Sequence, residues 1–157
     1  LEEGDPVVVD LGGALPSGYQ SDCTRTHVVG EPAKAPEDFL EAYAVLERAF
    51  DAACAAAEPG ITAGELDAAA REVIADAGYG EYFTHRLGHG IGLSGHEQPF
   101  IIAGSDVVLR EGMAFSIEPG IYVPGKWGMR IEDIVRMTAN GIETLNHTRR
   151  TLGVNDA

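Results

Sequence analysis

The chain has 157 residues, 45% of them hydrophobic, which is enough for one ordinary globular core. A formal net charge of −14 argues against a nucleic-acid partner, because a phosphate backbone would be repelled rather than neutralised. No apolar run is long enough to span a membrane.

Residues 1–6 lack both an initiator Met and the basic-then-apolar order of a signal peptide, so the chain is expected to be cut from something longer. The only cysteines, Cys23 and Cys54, fit no metal-knuckle or disulfide-framework pattern. Free thiols in a reducing cytoplasm are the expectation for both.

Residues 6–13, PVVVDLGG, read as a buried β-branched strand with Asp10 at or near its end. Asp10 alone is equally a turn aspartate bonding nearby amides. Residues 13–18 read as a turn, and residues 19–29 as a second strand that closes a hairpin. Asp10 and Asp22 would then face each other. Two carboxylates held close raise each other's pKa unless a cation intervenes, and either a metal or Arg25 could serve.

A helix is expected over residues 36–57, with Phe39, Leu40, Tyr43, Leu46 and Phe50 at helical spacing. A second helix follows the capping box Thr62-Ala63-Gly64-Glu65, with Leu66, Ala69, Ala70, Val73 and Ile74 inward. Neither helix carries a chemical cluster, so both read as scaffold.

The stretch THRLGHGIGLSGHEQP at 84–99 holds three of the five histidines and four glycines. Imidazole is a frequent metal ligand and a proton shuttle near pH 7, and glycine permits close backbone approach. By itself the stretch could be a sharp turn with surface histidines. Residues 107–109 and 112–117 look extended, and the second run leads into EPGIY at 118–122. Residues 129–137 read as one strand in which Glu132 lies among Ile131, Ile134 and Val135, so a buried carboxylate there needs an arginine or a metal. Asn140-Gly141 is a tight turn into a last strand, and the tail from Asn146 is expected to fray.

The polar outliers are Asp10, Asp22, His89, Glu118 and Glu132, an oxygen-rich set suited to two divalent cations such as Mn²⁺, Co²⁺ or Zn²⁺. The ordered segments VVVDLGG, GYQSDCTRTHVVG, HRLGHGIGL, HEQP, SIEPGIY and MRIEDIV resemble the signature of the pita-bread metallopeptidases, and most closely the Xaa-Pro branch of prolidase and aminopeptidase P.

The resemblance implies an α+β pita-bread fold, a curved antiparallel sheet flanked by helices. Residues 1–157 would form the C-terminal portion of a single catalytic domain. It implies Asp10, Asp22, His89, Glu118 and Glu132 as metal ligands, with Asp22 bridging. Glu118 would also act as the general base and His96 as oxyanion donor. His85 would line the substrate side, Arg130 would pair with the carboxylates, and Tyr122 would pack or hydrogen-bond there. The implied reaction is hydrolysis of an Xaa-Pro bond in a peptide or dipeptide, with manganese as the first metal. A non-catalytic peptide- or protein-binding module is the other class that this fold serves, but such relatives generally lose ligands. His27 and His147 lie outside the motifs and read as surface residues.

Two departures from the family pattern are expected to matter. The loop from Asp10 to Asp22 is one residue longer than usual, an extra residue that a bulge at residues 16–18 would absorb. The family's amino-terminal half is missing, which would expose apolar surface and a sheet edge and favour a homo-oligomer or association with the missing part.

Overall fold

A computed structural model describes residues 1–152. Its elements in chain order are β1 (Pro6–Ala14), β2 (Gln20–Val28), α1 (Glu37–Ala56), α2 (Ala63–Asp76), β3 (Gly88–Gly90), β4 (Glu97–Ile101), β5 (Ala114–Ile117), β6 (Gly120–Val123), β7 (Trp127–Arg130), β8 (Asp133–Thr138) and β9 (Gly141–Thr144). All strand pairs are antiparallel: β1 with β2, β6 with β7, and a five-stranded sheet in the order β4-β3-β5-β8-β9.

The first hairpin pairs without interruption from Pro6↔Val28 to Ala14↔Gln20. The strand therefore runs past residue 13, where a turn was expected, and the turn itself is tied by Leu15 N–H to the Tyr19 carbonyl. Any extra residue is taken up in that turn, and the ladder contains no bulge. Asp10 is opposite Thr24, and Asp22 is opposite Gly12. The two aspartates therefore share a face diagonally and do not stand directly across from each other. β1 is also less buried than its β-branched run suggests. It is half-buried through Val9 and exposed from Asp10 onward, because it has no second neighbouring strand among the described residues.

The run read as one strand over residues 129–137 is split. β7 pairs with β6 and β8 with β5, and Ile131 and Glu132 fall between them. The two ladders share one continuous register, since Ile117↔Asp133 and Gly120↔Arg130 belong to the same long hairpin. Its interruption places Glu118 and Glu132 level with each other. The Glu132 amide leaves this hairpin to bond the Thr24 carbonyl at 3.0 Å, joining the first hairpin to the second. β5 starts at Ala114, two residues later than expected, after a turn at Gly112.

Both helices cover the apolar side of this framework. Phe39, Leu46 and Phe50 of α1 and Leu66 and Ile74 of α2 are fully buried with Phe115, Ile117, Ile121, Met129 and Val135. The capping box at Thr62 forms in full. α2 is more than scaffold, because its buried Asp67 accepts from Arg71 and from the Leu87 amide. Arg71 in turn donates to the Phe83 and His85 carbonyls, which pins the start of the histidine-rich stretch.

The tail does not fray at Asn146. The Asn146 side chain accepts from Ile134 N–H and donates to the Asp22 carbonyl. Arg25 donates to the Thr148 and Arg149 carbonyls, and the Tyr43 hydroxyl donates to that of Arg150. Residues 153–157, the end of that expected frayed tail, lie outside the described residues. Both cysteines are unpaired.

Candidate metal centre

His89 sits on the middle residue of β3, flanked by Gly88 and Gly90, and threads between β4 and β5. A Cβ on Gly88 would lie 1.9 Å from the Ser116 carbonyl oxygen, and one on Gly90 2.3 Å from that of Gln98. Only glycine lets the three backbones approach this closely. His89 is therefore on a short buried strand with its imidazole turned into a cleft, whereas residues 92–96 form a bend that leaves His96 exposed.

That cleft, about 340 Å³, is lined by Asp10, Asp22, His85, Arg86, His89, His96, Glu118, Arg130 and Glu132. The fold brings three sets of ligand atoms within 4.8 Å of one another: Asp10, Asp22 and Glu132; His89, Glu118 and Glu132; and Asp22, His89 and His96. All five sequence-predicted ligands thus converge. Glu132, Asp22 and His89 each belong to two sets. A larger groove, about 810 Å³, runs between α1 and residues 144–151, and in it Arg150 lies 3.5 Å from Asp133.

Hydrogen bonds orient each donor. His89 Nδ1 is 3.0 Å from the Gly90 carbonyl oxygen, which can only accept. Nδ1 therefore carries the proton and Nε2 is left to face the carboxylates, 3.2 Å from Glu118 Oε1 and 3.9 Å from Asp22 Oδ2. Ser116 Oγ accepts the His89 amide and donates to Glu118 Oε1. The Thr24 hydroxyl donates to Glu132 Oε2 at 2.6 Å and accepts from Arg130 Nε at 3.2 Å.

Arg130 pairs with Asp10 at 2.5 Å and lies 3.9 Å from Glu118. Arg25, the other candidate partner for the aspartate pair, points to the opposite side of β2 and pairs with buried Asp133. Alternation along the strand dictates this.

The cluster is electrostatically incomplete. Burial, then the charge of Asp10, pushes the Asp22 pKa up. Burial and the neighbouring Glu118 push Glu132 up to about 7. Burial alone would lower His89, but its contact with Glu118 and its bond to Gly90 carry it above its ordinary value. Burial alone would raise Glu118, but His89 and Ser116 outweigh it and hold Glu118 below the usual carboxylate range. Among the described residues neither Asp22 nor Glu132 has a lysine or arginine partner. Close carboxylates without a counter-charge, oxygen-rich and joined by one imidazole, fit divalent cations.

A pH dependence follows. In the metal-free chain Glu132 keeps its proton up to about pH 7, whereas the unfolded chain releases it near 4.5. The native state then binds more protons in that window, so stability falls as pH rises through it, by on the order of 3 kcal/mol for this group. Thermal unfolding of chelator-treated protein at pH 5.5 and 7.5 should show the lower midpoint at pH 7.5, and divalent metal should recover it. A rising midpoint without metal would contradict this.

His85 lines the same cleft, with both ring nitrogens engaged. Nδ1 is 2.7 Å from the Arg86 carbonyl and so carries the proton, leaving Nε2 to accept from the Tyr122 hydroxyl at 3.0 Å. That hydroxyl accepts from Arg130 Nη1 at 3.1 Å. Burial pushes the His85 pKa down. His96 stands exposed at the mouth, its ring 4.0 Å from that of His89. His27 lies half-buried and His147 exposed, both outside the cluster.

The sequence reading passed over Thr24, Ser116 and Asn146. Thr24 and Ser116 each lie two residues from a ligand, the spacing that puts neighbours on one face of a strand. Asn146 carries no local signal.

The model of metallopeptidase family M24 matches residues 1–139. The probable dipeptidase PepE of Mycobacterium tuberculosis is 58% identical over 147 residues, covering 94% of this chain and 38% of that relative. The Xaa-Pro dipeptidase of Lactobacillus delbrueckii subsp. lactis is 52% identical over 154 residues, covering 98% of this chain and 41% of the relative. The crystal structure of dipeptidase PepE from Mycobacterium ulcerans superimposes with a TM-score of 0.92 at 55% identity, over 97% of this chain and 40% of that one. The chain thus spans about two fifths of the length of the relatives it matches. The architecture is the α+β pita-bread fold.

Proposed function

Because the chain belongs to metallopeptidase family M24, we propose that residues 1–157 are the C-terminal portion of a catalytic domain whose cleft hydrolyses Xaa-Pro bonds, in dipeptides first. The observation that carries this reading is the convergence of Asp10, Asp22, His89, Glu118 and Glu132 in one under-neutralised cleft. Binding modules on this fold would have no reason to keep all five. The named relatives are dipeptidases, which favours a dipeptide over a longer peptide.

The five residues would hold two divalent cations, with Mn²⁺ the first candidate and Co²⁺ or Zn²⁺ the others. Such ions lower the pKa of water and polarise a carbonyl. The protein's own groups do the rest. Ser116 donates to Glu118 Oε1, so Oε2 is the oxygen left to take the proton from the attacking water. His96, open at the mouth, donates to the oxygen that gains charge at the scissile carbonyl. His85 acts on the substrate side by holding the Tyr122 hydroxyl, and Arg130 fixes Asp10 and the same hydroxyl.

Exposed Leu11, Leu15, Tyr19 and Leu93 and the free edge of β1 suit burial against the rest of the full-length protein or a second copy. No described helix is long and apolar enough to cross a membrane. The two unpaired thiols suit a reducing cytoplasm.

Metal content tests the reading first. Incubation with Mn²⁺ followed by dialysis should leave about two ions per chain, and the loaded protein should release proline from an Xaa-Pro dipeptide. A chain that takes up no metal sinks the proposal.

A further inference from the structure

Resting on the metal-binding reading above, we infer that Thr24 is a positioning residue for Glu132 and sets the affinity of both cation positions. Thr24 is fully buried and central to the ligand set. It pairs with Asp10 across the first hairpin, lies two residues beyond Asp22 on the same face, and bridges to Glu132. Its backbone carbonyl accepts the Glu132 amide at 3.0 Å, and its hydroxyl donates to the Glu132 carboxylate at 2.6 Å. One residue thus grips Glu132 at main chain and side chain together.

The direction of the side-chain bond is forced. Arg130 Nε can only donate, and it lies 3.2 Å from Thr24 Oγ1. The hydroxyl accepts there, and because Glu132 as an ionised metal ligand can only accept, the hydroxyl gives its single proton to Glu132 Oε2. That proton holds the carboxylate in one rotamer with Oε1 unclaimed by Thr24, and links it to the guanidinium that also holds Asp10. Hydrogen bonds to ligating groups of this kind orient the ligand and change metal affinity by about ten- to a hundredfold when removed. Glu132 is common to the set with Asp10 and Asp22 and to the set with His89 and Glu118. Losing its orientation weakens both sets, whereas loss of Asp10 would weaken one.

Thr24→Val removes the hydroxyl at nearly constant shape, and Thr24→Ser keeps the hydroxyl but removes a methyl from the interior. The test is Mn²⁺ titration of wild type and both variants by calorimetry, beside thermal unfolding of the metal-free proteins. The expected result is Mn²⁺ affinity lowered about ten- to a hundredfold at both positions in Thr24→Val, with Thr24→Ser close to wild type. A purely structural Thr24 would make the metal-free Thr24→Ser protein less stable and carry metal affinity down with it. Wild-type affinity in Thr24→Val, or an equal loss in Thr24→Ser, overturns the inference while leaving the metal reading intact. A wild-type chain that binds no Mn²⁺ overturns both.

Discussion

Glu118→Gln should reduce Xaa-Pro hydrolysis by about 10²–10⁴-fold, the usual contribution of a positioned general base. The amide keeps the size of the glutamate, and its oxygen can still accept from Ser116, so the cleft should keep its shape. What it loses is the basic oxygen that faces the cleft away from His89. An amide oxygen also remains a weak ligand, so metal content should fall less than activity. The measurement is proline release from a dipeptide by the metal-loaded chain and by the full-length protein, with metal content determined on the same samples. Full activity in the variant would remove Glu118 from the role of base. A variant with neither metal nor activity would show ligation alone.

Asp133→Ala should strongly destabilise the fold. Arg25 and Asp133 are 5% and 2% exposed, and Arg25 Nη2 donates to the carboxylate at 2.5 Å. Removing the carboxylate strands a buried guanidinium, at a cost of about 3–5 kcal/mol. For a chain of this length that lowers the unfolding midpoint by roughly 6–20 °C. The damage should also reach the metal cleft, because Arg25 Nη1 donates to the Thr24 and Glu132 carbonyls. Thermal denaturation with and without Mn²⁺ reads both effects. Arg25→Met in the same background should recover part of the loss, because it removes the uncompensated charge. A midpoint within a degree or two of wild type would mean that Arg25 is satisfied by carbonyls alone.

Glu118 and Asp133 lie on opposite arms of the second hairpin, and the two neighbouring acids of its second arm, Glu132 and Asp133, meet different surroundings. Glu132 turns to the cleft, where like charges crowd it and burial raises its pKa to about 7. Asp133 turns to the opposite face, where Arg25 and Arg150 meet it. In sequence they are adjacent acids in an apolar run. The strand's alternation separates them into one group that needs a cation from solution and one that already has a guanidinium.

The sequence by itself determined the two helices, the capping box at Thr62, and the five residues of the cleft with their donor chemistry. Those features are local: helical periodicity, caps, and polar residues out of place in apolar runs survive in a one-dimensional string. Glycine beside His89 was legible for the same reason, although only the packed strands show that a Cβ on Gly88 or Gly90 would strike the backbone.

Tertiary structure decided what depends on register and on partners far apart in sequence. The diagonal placement of Asp10 and Asp22, the split of residues 129–137 into two strands, and the choice of Asp133 over the aspartate pair as Arg25's partner all follow from pairings. A one-residue slip would reverse each of them. Asn146 could not have been found in the string. It joins Asp22 to Ile134 only because the chain's last described segment folds back across both hairpins. That placement depends on where the Asp22 carbonyl and the Ile134 amide, far apart in sequence, come to rest, and it is settled only when they meet.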